Sequence, residues 1–396
     1  MIPRLLLLCL LCVFAGCSKQ KSVPAPMAAA PMAVYTRVED IPAELRSAFE
    51  SFSRQFETGI RAADSNAVRR VFECLAIANE ILAGAQGPQK GLEQFKAGLE
   101  LGLRSSINQL VANWSGSDAK YKRLVLYKGN PAARFRFAGQ SGIALVDFLL
   151  RTNSQGQVRV INLCNHAMGY DLVEQGRQTV APVLADLDKS FLQRMVDKPN
   201  IGSAEMQRFG DMAKKFGKQD YAGVVSAYQG LPAGLQETMP ATMMHVSALQ
   251  NLGDDDQYKQ ALKEAAKRFK SASFQFMLVD AYFLDKQYDQ AVECIDNFMQ
   301  ALEKDAALLA LKSLMLNAKG DIKGAQTVLQ EAFKLEPECN FVHVKALDVL
   351  LAAKDFPAVR DSMIFLEEKA GYAFKDNMND PLWNEFKKAP ESARWR

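Results

Sequence analysis

The chain has 396 residues, 48 Lys and Arg against 45 Asp and Glu, a formal net charge of +3 and 48% hydrophobic residues. Charges this nearly balanced supply no basic field for the phosphates of nucleic acid, which excludes that partner class. The length allows about two domains, each with a core of its own.

In chain order, Arg4 precedes an apolar run from Leu5 to Phe14, followed by Ala15, Gly16 and Cys17. A run this short reads as a secretory signal, because a membrane-spanning helix needs about 20 residues. The segment Val13, Phe14, Ala15, Gly16, Cys17 resembles a bacterial lipobox, with Phe14 where leucine is usual. That resemblance implies removal of residues 1–16 and a lipoprotein carrying palmitate-type acyl chains on Cys17. Ser18 rather than Asp then implies sorting to the outer membrane, facing the periplasm. The alternative is an ordinary signal peptide cut nearby. Residues 17–41 are rich in Pro and Ala with no hydrophobic period, the composition of an extended tether.

Beyond Cys9, Cys12 and Cys17, the remaining cysteines are Cys74, Cys164, Cys294 and Cys339. They lack the paired spacing of metal sites and lie in periodic apolar stretches, so they read as core residues. A Cys294–Cys339 disulfide is the alternative. Nothing in the sequence calls for a metal or a cofactor.

Residues 42–198 form the first expected domain. Phe49, Phe52, Phe56 and Ile60 repeat at helical spacing, as do Ala67, Val71, Cys74, Leu75, Ala78 and Ile81, then Leu92, Phe95, Leu99, Leu103, Ile107 and Leu110. Four segments rich in strand formers follow: Leu124–Tyr127, Arg134–Phe137, Ile143–Leu150 and Val158–Cys164. Their short Gly- and Asn-bearing connections can join only antiparallel neighbours. The expected fold is α+β, helices on a four-stranded antiparallel sheet. The element order resembles nuclear-transport-factor-like and cystatin-like folds, whose members include isomerases, dehydratases and non-catalytic modules.

The polar set of this domain is Arg134, Arg136, Asp147, Asn162, His166 and Tyr170. Asp147 interrupts an apolar strand, and with His166 it is the candidate catalytic pair, Asp147 acting as a general base if burial raises its pKa. The competing reading is that Asp147 faces solvent or pairs with Arg134, Arg136 or Arg159. On that reading the domain is a binding or positioning module and no enzyme. Asp171 is placed to cap the helix that follows His166.

Residues 199–396 carry a repeat. Tyr221, Tyr258, Tyr288, Ile322 and Phe356 are spaced by 37, 30, 34 and 34 residues, with small or apolar residues three, seven and ten positions after most of them. Ala325, Leu329 and Ala332 follow Ile322 in the most regular unit; Ala261, Ala265 and Arg268 follow Tyr258, where Arg268 breaks the pattern after the acidic run Asp254–Asp256. The period resembles that of the tetratricopeptide repeat, about 34 residues. The resemblance implies an all-α solenoid whose units bury their apolar faces only by stacking. The family's groove positions fall on Phe209, Phe216, Phe276, Phe283, Leu314, Phe341 and Val344, an apolar row suited to a partner protein's amphipathic helix or apolar peptide. The segment from Asp380 to Arg396 keeps Leu382, Trp383, Phe386 and Trp395 without the repeat pattern, and reads as a cap over the last unit.

Overall fold

The computed structural model describes residues 34–395 apart from 86–88, 115–116, 140–141, 178–202, 375–377 and 379. The signal segment, Cys17 and the tether up to residue 33 lie outside the described residues.

Helix α1 spans Ala43–Arg61, α2 Ser65–Arg70, α3 Cys74–Ile81 and α4 Gln89–Trp114. The Asp64 carboxylate starts α2 by accepting from the N–H groups of Asn66 and Ala67 at 3.1 and 3.0 Å. The second apolar stripe is not one helix. Residues 71–73 leave the helical path to bond the sheet, with Val160 N–H donating to Val71 O at 2.8 Å and Glu73 N–H to Val160 O at 2.9 Å.

The sheet has five strands in chain order, β1 Asp118–Tyr127, β2 Asn130–Gly139, β3 Gly142–Thr152, β4 Val158–Asn165 and β5 Tyr170–Asp171. The fifth is a two-residue addition to the expected four, pairing Cys164 with Asp171 and Asn165 with Tyr170. β1 begins six residues earlier than its apolar run because Ala119 and Tyr121 bury one face while charged residues alternate with them. β1 and β2 are joined by Lys128 and Gly129, both at positive φ, the two-residue hairpin geometry that matches strand twist.

Alternation along the strands divides the sheet. Phe135 and Phe137 of β2 and Val146, Phe148 and Leu150 of β3 join Phe56, Phe72, Ile77 and Leu103 from the helices in one core. Phe148 lies edge-on to Phe56 at 5.2 Å, and Trp114 stacks on Phe137 at 4.8 Å. Arg134, Arg136 and Asp147 occupy the intervening positions and therefore belong to the opposite face.

The tether ends earlier than its composition suggests. Tyr35 N–H donates to Gly129 O at 2.8 Å, Val38–Asp40 forms a 3-10 turn, and Ile41 is 1% exposed within the core.

The second half consists of helix pairs: α5 Ser203–Gly217 with α6 Tyr221–Gln229, α8 Met239–Leu252 with α9 Asp255–Arg268, α10 Ala272–Leu284 with α11 Tyr288–Ala301, α12 Ala306–Lys319 with α13 Ile322–Leu335, and α14 Asn340–Ala352 with α15 Phe356–Ala370. A one-turn helix, α7 Ala233–Gln236, lies between the first two pairs. The element order is thus an α+β domain followed by a tetratricopeptide-like all-α solenoid.

Each pair turns in the same way. A residue at positive φ, in order Gln219, Gly253, Lys286, Gly320 and Lys354, precedes the N-cap of the second helix. In four pairs that cap is an aspartate, Asp220, Asp254, Asp321 or Asp355, accepting from the N–H three residues on.

These caps correct the repeat register. The second helices begin at Tyr221, Asp255, Tyr288, Ile322 and Phe356, a spacing of 34, 33, 34 and 34 residues. Asp255, not Tyr258, is the first position of the second unit. Its offsets of three, seven and ten then fall on Tyr258, Leu262 and Ala265, all at most 2% exposed, while Arg268 lies outside the pattern and is exposed. The run of three aspartates obscured this because it places a cap and the first turn where an apolar landmark was expected. At the same offsets Ala291, Ile295 and Phe298, then Ala325, Leu329 and Ala332, then Val359, Met363 and Leu366 are all buried.

At the end of the chain, 3-10 turns at Pro381–Trp383, Phe386–Lys388 and Pro390–Trp395 lie against the last pair. Phe386 is fully buried beside Phe356, and Trp395 Nε1 donates to Glu367 at 2.6 Å. Cys74, Cys164, Cys294 and Cys339 are buried and in no disulfide, so the Cys294–Cys339 bridge is absent. Burial pushes Cys74 and Cys294 up to about 11 and Cys164 to about 12.

The first helix pairs carry an acid-sensitive residue. His245 of α8 stacks on Tyr228 of α6 at 4.0 Å, and burial lowers its pKa to about 4, against the partial opposition of Glu264. Between pH 4 and 6.5 the unfolded chain therefore binds the proton that the folded chain refuses, so stability is full above about 6.5 and falls as pH drops toward 4. We expect acidification from pH 7 to 4.5 to cost on the order of 2 kcal/mol here, allowing for solvent screening. In His245→Gln, denaturant midpoints should fall less over that range; an unchanged pH slope would contradict the assignment.

Candidate functional site

Asp147 sits mid-strand on β3 with 1% exposure. From the neighbouring β2, Arg134 donates through Nε to Oδ1 at 2.7 Å and through a terminal nitrogen to Oδ2 at 2.8 Å, a two-pronged contact. His166, just past β4, brings Nε2 to 2.6 Å from Oδ2, while its backbone N–H is fixed to Leu145 O at 2.8 Å. The candidate pair Asp147 and His166 is thus brought together, and Arg134 joins it.

Burial pushes the Asp147 carboxyl up, but the hydrogen bonds and charges of Arg134 and His166 outweigh it and hold the group below the ordinary aspartate range. Asp147 is therefore an ionised carboxylate with both oxygens engaged. The condition for Asp147 to act as a general base, burial raising its carboxyl, is not met, and its contact with Arg134 is one of the pairings of the competing reading. In this arrangement the carboxylate holds the His166 ring through Nε2.

The remaining polar residues form separate groups. Asn162 does not join Asp147; its amide nitrogen donates to Asp171 at 2.9 Å and its oxygen accepts from Leu163 and Val173 N–H. Asp171 also accepts from Tyr127 Oη at 2.9 Å and from Glu174 N–H at 3.1 Å, capping the next helical turn as expected, and pairs with Lys128 at 3.4 Å. Arg136 turns to Asp118 of β1 at 3.4 Å and Arg159 to Glu73 at 3.7 Å. Tyr127, Asp171 and Cys164 were missed as members of this face. The register pairing Cys164 with Asp147 was the available signal, visible only once the pairing of β3 with β4 is known.

In the repeat half the apolar row divides by depth. Phe276 is fully buried and stacks on Phe298 at 4.2 Å, so it holds α10 to α11 and offers nothing to a partner. Phe209 and Phe341 are 4% and 5% exposed. Phe216, Phe283 and Val344 are half-buried, with Phe216 edge-on to Tyr221 at 6.0 Å and Phe283 tilted against Tyr288 at 5.9 Å. Leu314, 3% exposed, lines a cavity of 390 Å³ between α12, α14 and the 3-10 turn at Pro381–Trp383. Asp147 and His166 do not line that cavity. Among the described residues, no group of three or more His, Cys, Asp or Glu is arranged to hold a metal.

No protein-family profile and no curated protein matches the chain. Solved structures do. One described as the crystal structure of MamA protein is 15% identical over 43% of this chain and 97% of that one, with a TM-score of 0.37. MamA 41-end from Desulfovibrio magneticus RS-1 is 16% identical over 43% and 99%, with a TM-score of 0.35. A MamA RS-1 double mutant is 16% identical over 44% and 100%, again at 0.35. Likeness at this level assigns no function; the helix pairs rest on their own caps and burial.

Proposed function

We propose that the repeat half is a protein-interaction scaffold, held at a bacterial envelope membrane through lipid on Cys17, with the α+β domain as a second positioning module. The observation that carries this reading is the five-fold recurrence of one helix pair, aspartate-capped in four, with the same three offsets buried in the last four pairs and Tyr228 half-buried at the middle offset of the first. Such an array spends its apolar residues on stacking neighbours and leaves a long face of first helices for a ligand. Half-buried Phe216, Phe283 and Val344 suit an apolar or amphipathic segment of a partner. The lipobox-like segment ending at Cys17 supports the anchor. An isomerase or dehydratase reading has Asp147 and His166 in contact in its favour, and against it the engagement of both Asp147 oxygens.

The test is cross-linking and purification from native membranes of the intact protein beside Phe283→Glu with Val344→Glu. These positions are half-buried, so the repeats should stay folded while captured partners fall at least about fivefold. Unchanged capture by the folded variant would refute the groove. Separately, Cys17→Ser should move the protein into the soluble fraction, and continued membrane retention would refute the lipid anchor.

A further inference from the structure

The chain enters the first domain at one end of its sheet. Tyr35 N–H bonds Gly129 O in the β1–β2 hairpin, and the Val34 side chain lies close against Gly129. Because consecutive strands run antiparallel, the β3–β4 loop, residues 153–157, lies at that same end.

That end is basic. Arg151 of β3 and Arg159 of β4 are direct cross-strand partners on one face. Like charges so placed work against strand pairing, and an anion over both relieves them. Arg159 is partly engaged: its Nε is 3.7 Å from Glu73, and its terminal nitrogens donate to Val158 O at 3.0 Å and to the Gln157 side chain. Arg151 makes no hydrogen bond or ion pair among the described residues. Two further cations flank the pair. Lys128, its side chain 63% exposed, sits in the hairpin 3.4 Å from Asp171. On the far side Phe72 pairs with Val160 in parallel, which places Arg70 beside the start of β4. Arg70 is exposed and, among the described residues, also without a hydrogen bond or ion pair. The order across the sheet end is thus Lys128, Arg151, Arg159, Arg70, with Glu73 and Asp171 offsetting part of the charge. The connection from Thr152 to Val158 carries no charged side chain.

We infer that this sheet end rests on the phosphodiester headgroups of an anionic membrane surface and so orients the first domain on the bilayer. Two features favour a surface over a discrete phosphate ligand. The cations form a row about 15 Å long, three strand spacings, and do not converge on one point. The row also lies where the chain arrives from Cys17, a stretch of 17 residues that spans at most about 60 Å. A lipid on Cys17 therefore holds this end of the domain near the bilayer. Attraction to surface charge fades within about 8 Å at physiological ionic strength, so the row acts only in contact. Each cation in contact strengthens the association about fivefold. The inference rests on the anchor proposed above.

The lipidated protein, purified whole from native membranes, is reconstituted into vesicles of phosphatidylcholine alone or of phosphatidylcholine mixed with phosphatidylglycerol. Amide exchange of residues 151–159 is the readout. It is expected to slow at least about fivefold on the mixed vesicles, and the slowing should vanish in high salt and in Arg70→Gln with Arg151→Gln. Those two side chains have no bond to lose, and unchanged exchange of Phe148 and Leu150 without vesicles shows that the variant keeps its sheet. Inorganic phosphate and glycerol phosphate, added to detergent-solubilised protein, are the free-ligand probes. Equal exchange on both kinds of vesicle, slowing that survives the double substitution, or the same slowing with either free phosphate would each overturn the inference. A chain without lipid on Cys17 washes off phosphatidylcholine vesicles. Its exchange is then compared with each kind of vesicle in excess, so failure of the anchor and failure of the basic end are separate results.

Discussion

Asp147→Asn is expected to destabilise the first domain by about 3–5 kcal/mol, the range for removing one partner of a buried ion pair. The variant leaves the Arg134 guanidinium, whose side chain is only 9% accessible, without the carboxylate that takes two of its donors, and removes the acceptor of His166. The loss should appear in hydrogen exchange as faster opening of β2, β3 and β4, with little change in the last three helix pairs. Arg134→Met combined with Asp147→Leu should recover much of it, because removing both charges also removes the desolvation cost. The pH dependence has a definite sign. The folded pKa of Asp147 lies below its unfolded value, so the pair's contribution is complete above the unfolded value, near 3.9, and is lost as pH falls through the folded one. The asparagine variant should lack that acid limb. If Asp147→Asn melts like the parent at pH 7, the pair does not hold the sheet as described.

Phe276→Ala should cost about 3–5 kcal/mol, the usual range for truncating a buried phenylalanine. Its ring is fully buried and stacked on Phe298, and a methyl group cannot fill that volume. Protection from exchange should fall in α10 and α11. The second unit offers a matched comparison: Leu262→Ala should cost about 2–5 kcal/mol, whereas Arg268→Ala, exposed and donating to Gln236 O at 3.1 Å, should cost less than about 1 kcal/mol. Equal losses at Leu262 and Arg268 would restore the register that starts at Tyr258.

Much of this architecture was legible because it repeats. A single unit with Ile322, Ala325, Leu329 and Ala332 gave phase to its neighbours, since close helix contact demands small residues at fixed offsets. Where the phase slipped, at Asp254–Asp256, the reason was chemical: aspartate is a good cap, and a cap carries no hydrophobic signal. The strands were found from their apolar runs, but β1 was cut short because its outer face is charged. The break between α2 and α3 was invisible because residues 71–73 leave the helix for a distant partner, Val160, which no local pattern announces.

The site divides along the same line. Strand alternation put Arg134 and Asp147 on one face, and their contact was among the expected alternatives. The sign of the Asp147 shift was not, because it depends on two partners, Arg134 and His166, outweighing burial. In the groove row, helical spacing could not separate Phe276 from Phe283. Both sit on first helices; only the stack on Phe298 shows that one packs inward while the other stays half-buried.

Three of the five turns between paired helices hold Gln219, Lys286 and Lys354 in the left-handed conformation that the other two reach with Gly253 and Gly320. A side chain in that conformation sits roughly 1 kcal/mol above glycine. None of the three turn residues belongs to either helix of its pair. Thermal tolerance can therefore be adjusted at the corners of the array with every residue of the paired helices left as it is.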